Sequence, residues 1–179
     1  MMQLATHPEY MRAIRKEFRE STMHYNCQRS LPLLDAVIYE SMRLWPSVFF
    51  ASQRVTPPEG LTINDHFIPG NMIVQMPHFT MYRDSRNFIQ PDEFIPERWT
   101  DRPDLILNRQ AFMPFLMGPY SCAGRGLAMM ELRSVIGRVV NEFDIMLPDG
   151  FVAETYWEGI MDHFTAGPPK QEVMFLRAK

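Results

Sequence analysis

The chain has 179 residues, 46% hydrophobic and 22% charged, enough apolar material for one domain with its own core. A net charge of -3 and a pI near 5.9 give no electrostatic footing for binding nucleic acid. Two cysteines build neither a disulfide framework nor a four-ligand zinc site, and no apolar stretch reaches the roughly 20 residues that span a bilayer.

The polar opening MMQLATHPEYMRAIRKEF has the make-up of neither a signal peptide nor an anchor. From His7 to Glu20 it carries Tyr10, Ile14 and Phe18 four apart, a single apolar stripe on an otherwise solvated helix. A second helix is expected from Leu31-Pro32 through LLDAVIYESMRL, stopping before Pro46. Glu40 and Arg43 share one face of it and can pair, although such a pair alone is usually solvated and worth little. GLTINDHFIPGNMIVQMP reads as short strands, Leu61–Ile63 and Met72–Met76, with a turn at Asn64-Asp65.

Between Met81 and Leu107 periodicity fades and Pro, Asp, Arg and Asn dominate, which predicts an irregular ordered segment of functional origin. It contains Pro96-Glu97-Arg98-Trp99. Arg98 docked on Glu40 and Arg43 would pin this segment to the second helix through a buried, bidentate-capable network. Trp45 and Trp99 each adjoin an arginine of that set, so either guanidinium packing or plain core packing suits them.

The stretch FMPFLMGPYSCAGRGLAMMELR then sets Cys122 among glycines just ahead of a helix. Gly118 and Gly124 permit backbone conformations and close approaches that a side chain forbids. Free N–H groups and the positive end of the helix dipole face the sulfur and favour a thiolate. Phe115 is placed to lie against whatever the sulfur touches. For an isolated cysteine the ordinary reading is a buried structural residue. A cysteine hydrolase would need a histidine within reach and an oxyanion hole, which the glycine spacing does not suggest. In the helix that follows, Ala128, Leu132, Val135 and Val139 fall at steps of four and three and predict its buried face. Strands at Phe143–Leu147 and Glu172–Leu176 close the chain. His66, His78 and His163 show no metal-ligand spacing and read as surface or structural histidines, and Cys27 as inert. The methionines, fifteen like the prolines, suggest adaptable packing around something irregular.

Taken in order, E-x-x-R (Glu40, Arg43), P-E-R-W (Arg98) and F-x-x-G-x-x-x-C-x-G (Phe115, Gly118, Cys122, Gly124) resemble the C-terminal part of a cytochrome P450, a haem-thiolate monooxygenase. The resemblance covers nearly the whole chain, and the wording GPYSCAGRGLA is most similar to fungal members. It implies an α+β, mainly helical fold: late helices, a small β-sheet, the cysteine loop, a long helix and terminal strands. Residues 1–179 would form a partial domain lacking the N-terminal part of the fold. Cys122 would be the thiolate ligand of the iron of haem b, shielded by Phe115, with Gly118 and Gly124 letting the loop wrap beneath the porphyrin. Glu40, Arg43 and Arg98 would form a structural triad needed for haem incorporation. Arg54 would pair with a haem propionate.

The resemblance further implies a small organic substrate, lined by residues 47–52 and by the turn at residues 161–164. A proximal face near Arg125 and Arg133 would receive an NADPH–cytochrome reductase. The full-length family sits at the endoplasmic reticulum membrane through an N-terminal anchor that is absent here, as is any A-G-x-D/E-T-T-like stretch. Two positions depart from the pattern: Tyr120 stands where many members carry Arg or His, and Leu116 replaces a small residue after the Phe. The expected activity is insertion of one oxygen atom into a secondary-metabolite-like molecule. A truncated chain that holds no haem is one alternative, and a haem-thiolate isomerase or dehydratase is another.

Overall fold

The computed structural model describes residues 1–21, 31–50 and 53–178. Two helices open the chain, α1 (Met2–Thr6) and α2 (Pro8–Glu20), followed by α3 (Pro32–Leu44). Prolines stand in the first turns of α2 and α3, where the missing N–H costs nothing. Leu31 has no side chain able to cap α3. Glu17 supplies the cap from α2 instead, its carboxylate accepting from the N–H groups of Leu33 at 2.9 Å and Leu34 at 3.3 Å. The expected stripe on α2 is present, with Ile14 fully buried and Tyr10 and Phe18 packed at its edges, and Met11 joins it.

Two small antiparallel pairs follow, β2 (Leu61–Ile63) with β3 (His66–Ile68), and β1 (Arg54–Val55) with β4 (Ile73–Val74). The turn falls at Asn64 and Asp65, both at positive φ (46° and 63°), as a tight hairpin between right-twisted strands requires. His66 belongs to β3, opposite Ile63, and is exposed. Expected strand Met72–Met76 shortens to Ile73–Val74.

After α4 (His78–Tyr82) the irregular segment is built from 3-10 turns, including Pro96–Trp99, and one bridge between Phe88 and Ile106. The long helix α5 (Arg125–Glu142) leads into β5 (Phe143–Met146), which pairs with β8 (Met174–Arg177). Between them lie α6 (Ala153–Glu158) and the hairpin of β6 (Met161–His163) and β7 (Thr165–Gly167).

The core lies where α2, α3 and α5 meet, around Ile14, Leu34, Ile38, Met129 and Val140. The expected face of α5 is met in part: Leu132 and Val139 pack against the core, but its fully buried positions lie beside them. Met129, Gly137 and Val140 are buried, while Val135 is 57% exposed. Two polar clamps fix α5. Asp35 and Arg133 pair through both oxygens at 2.7 Å, joining α3 to α5. Arg15 donates to the carbonyls of Val140 and Phe143, both at 2.6 Å, and so closes the C-terminal end of α5 while also meeting Asp144. No helix among the described residues is long and apolar enough to cross a membrane.

Candidate functional site: a cysteine loop braced by a buried ion network

Glu40, Arg43 and Arg98 converge and are fully buried. The Glu40 carboxylate accepts from Arg43 Nη2 (2.9 Å) and Nε (3.0 Å), Arg98 Nε (3.0 Å), the Ile95 N–H (3.0 Å) and Trp99 Nε1 (2.9 Å). The remaining guanidinium protons go to main-chain carbonyls: Arg43 reaches Tyr82, Pro91 and Glu93, and Arg98 reaches Ile89, Gln90 and Leu105. Burial lowers the Arg98 pKa and Glu40 opposes that shift. Such a network has little net value over an apolar packing. Removing one member is different, because it strands a buried charge at a cost of about 3–5 kcal/mol. Its carbonyl partners lie in the irregular segment, so the network replaces the missing secondary structure there.

Trp99 takes part through its indole N–H rather than by covering a guanidinium. Trp45 does not cover Arg43 either. It faces Arg83, whose guanidinium carbon lies 4.7 Å from the Trp45 ring centroid and 3.9 Å from that of Phe79, while Arg43 sits over Phe88 at 5.2 Å. Desolvation lowers the Arg83 pKa to about 10, with Asp92 acting against it and Arg43 adding to it. This aromatic clamp went unread in the sequence because its members are scattered. Trp157 of α6 completes it, stacked on Trp45.

The cysteine loop hangs from this frame. The hydroxyl of Tyr82, a fully buried residue, accepts from the Met113 N–H at 3.1 Å and holds the loop's entry. The Cys122 N–H donates to the Phe115 carbonyl at 2.8 Å, so the loop closes on itself across seven residues. Between those points the backbone passes twice through the left-handed region, at Leu116 (φ 60°) and Gly118 (φ 69°). The two glycines of the motif therefore serve different ends. Gly118 supplies the conformation, and nothing lies within 4 Å of where its Cβ would be. Gly124 has ordinary dihedrals, and a Cβ there would meet Cys122 Sγ at 3.8 Å.

Cys122 is a free, exposed thiol immediately ahead of α5. Phe115, half-buried, packs on the core and has the Arg125 guanidinium 5.9 Å from its ring. Arg54 is exposed at the start of β1 and lies over the ring of Tyr120, 4.8 Å from its centroid. A bare metal ion would ask for several protein ligands, and no cluster of His, Cys, Asp and Glu forms among the described residues. One open soft donor at a helix N-terminus suits a metal whose other positions a macrocycle already fills.

The other expected residues divide. Residues 47–50 and the β6–β7 hairpin are brought together, the Ala166 N–H donating to the Ser47 carbonyl at 2.7 Å, with Phe164 exposed at the hairpin tip. Residues 51–52 and Cys27 lie outside the described residues. Arg133 is engaged by Asp35, its side chain only 16% exposed, which removes it as a docking cation. His78 is buried and stacked on Tyr82, and burial lowers its pKa, against the raising effect of its hydrogen bond to the Val48 carbonyl. It is a structural histidine.

Comparison with known proteins bears on this geometry. A solved structure of a zebra fish cytochrome P450 with progesterone shares the fold with a TM-score of 0.77 at 24% identity, over 98% of this chain and 39% of that one. The cytochrome P450 monooxygenase phqL of Penicillium fellutanum is 39% identical over 172 residues, 96% of this chain and 31% of phqL. Tryprostatin B 6-hydroxylase of Aspergillus fumigatus is 40% identical over 147 residues, 82% of this chain and 26% of its own length. The chain thus spans about a third of the length of such relatives. The cytochrome P450 family model matches residues 1–172, and the chain belongs to the cytochrome P450 family.

Proposed function

We propose that this chain is the haem-binding C-terminal portion of a monooxygenase that inserts one oxygen atom from O2 into a small organic molecule. Its electrons would come from NADPH through a reductase. The observation that carries the reading is the exposed Cys122 thiol at the head of α5, in a loop tied to the core by Tyr82 and turned by Gly118. Haem with a thiolate ligand supplies O2 activation when bound.

The chain's own residues do the rest. Cys122 would hold the iron from one side, with Phe115 and the loop backbone limiting water at the sulfur. Glu40, Arg43 and Arg98 would keep the segment before the loop in register during haem uptake. Arg54 would carry a cation to a propionate. Residues 47–50 and Phe164 would meet the substrate. Arg125, exposed beside Phe115, would contribute to the reductase face. The fungal relatives, one of them named for hydroxylating tryprostatin B, support a secondary-metabolite-like substrate.

The test uses the protein made from its native message, whose 5′ end is mapped first. Reduced under carbon monoxide, it should show the red-shifted absorption band of a thiolate-ligated haem, and Cys122→Ala should abolish that band. A band that survives Cys122→Ala removes Cys122 as the ligand. A native protein that takes up no haem removes the monooxygenase reading in favour of an inactive chain. Turnover of peroxide-type substrates without NADPH would instead point to an isomerase or dehydratase.

A further inference from the structure

The position two residues before Cys122 is Tyr120, where a cation is common in the family, and the ring is 69% exposed. Among the described residues its ring engages Arg54, whose guanidinium carbon lies 4.8 Å from the ring centroid. Arg54 donates otherwise to its neighbour's carbonyl, Gln53 O, at 2.9 Å, and it meets no carboxylate among the described residues. The backbone of Arg54 is fixed by its pairing opposite Val74 in the β1–β4 ladder, and the far end of its side chain is directed by the Gln53 carbonyl at Nη1 and by the ring of Tyr120.

A guanidinium offers its face and its edge to different partners. Stacking on an aromatic ring occupies the face, while the N–H donors point outward in the plane and stay available for a two-oxygen acceptor. A lysine or a second arginine at position 120 would repel Arg54. A tyrosine attracts it and leaves its fork open.

On the reading that the chain holds haem, we infer that Tyr120 is a positioning residue: its ring stacks on Arg54 and presents that guanidinium as the cationic clamp for a haem carboxylate. The pair does with one charge what two cations do where residue 120 is Arg or His. The phenol hydroxyl is dispensable and the π-face is not.

The holo-protein from the native message is challenged with excess apomyoglobin, and the rate of haem loss is measured for Tyr120→Phe, Tyr120→Leu, Arg54→Ala and the double variant Tyr120→Leu/Arg54→Ala. Leu keeps apolar bulk without a ring, and the exposure of Tyr120 means that the fold does not depend on it. Tyr120→Phe should match the parent, and Tyr120→Leu should lose haem about 2- to 5-fold faster, the range expected of an exposed cation–π contact. The double variant should be no worse than Arg54→Ala, because the ring acts only through the guanidinium. Haem loss at the parental rate in Tyr120→Leu, or additive effects in the double variant, would overturn the inference while the thiolate band of the parent leaves the functional reading intact. A parent without that band removes both.

Discussion

Single residues in the cysteine loop carry unequal duties although the motif writes them alike. Gly118 and Gly124 are both glycine in F-x-x-G-x-x-x-C-x-G, yet only Gly118 has a positive φ, at 69°. An L-residue forced into that region costs about 1–2 kcal/mol. At Gly124, with φ -83° and ψ 3°, an alanine fits the backbone and touches Cys122 Sγ at an ordinary 3.8 Å. Gly118→Ala should therefore destabilise the chain by about 1–2 kcal/mol in urea unfolding, and Gly124→Ala by no more than about 0.5 kcal/mol. Equal losses at the two positions would show that Gly124 is also held by backbone geometry.

Elements were legible in the sequence to the extent that their causes are local. The turn at Asn64-Asp65 and the helices after Pro8 and Pro32 follow from residue chemistry within a few positions, and so they stand where expected. The face of α5 followed only in part. Leu132 and Val139 of the expected stripe do pack on the core, but a second stripe through Met129, Ile136 and Val140 packs there too, and Val135 is left exposed. A helix apolar on two sides gives periodicity no way to choose. The E-x-x-R and P-E-R-W motifs were legible as partners through their order and the family resemblance, since with 18 basic and 21 acidic residues charge alone leaves many pairings open. Tyr82 holding Met113, and Arg83 between Phe79 and Trp45, were not, since neither spacing nor charge pattern marks them. Helix α4 carries a measurable consequence. His78 is buried there against Tyr82 and its pKa lies below the usual value of about 6.5. The unfolded chain accepts a proton that the folded one refuses. The His78 contribution should thus be level above pH 6.5 and fall as the pH drops from there toward the lowered pKa. The buried Met1 amine, its pKa lowered from the usual value near 8, adds a separate fall that starts higher. Thermal unfolding between pH 5 and 8 should show both falls, and His78→Phe, which keeps an aromatic ring for the stack, should flatten the lower one. A lower slope unchanged in His78→Phe would assign the acid sensitivity elsewhere.

At the scale of the molecule, the side of α5 that carries Ala128 and Val135 is left unfinished. Ala128, Leu132 and Val135 face an open cleft of about 820 Å³, opposite Met42 and Trp45. Leu127 and Val135 are each 57% exposed, and the β6–β7 hairpin adds Met161 at 60% and Phe164 at 63%. Contiguous apolar surface of more than a few hundred Å² marks a face that associates. Nothing in the charge offsets it, because a net charge of -3 on 179 residues gives weak repulsion between copies. Expressed at this length, the chain should self-associate, with a sedimentation coefficient that rises with concentration and strong binding of an apolar dye. Leu127→Lys with Val135→Glu places one charge on the cleft side and one on the neighbouring exposed surface of α5, and leaves Met129, Gly137 and Val140, the packed side, untouched. The pair should lower dye binding and restore a monomer while shifting the urea midpoint little, since exposed positions away from special contacts change stability by about 0.5 kcal/mol or less. A chain that stays monomeric at high concentration without these substitutions would mean that the cleft closes in solution. An unfolded double variant would mean that this side of α5 is already in use.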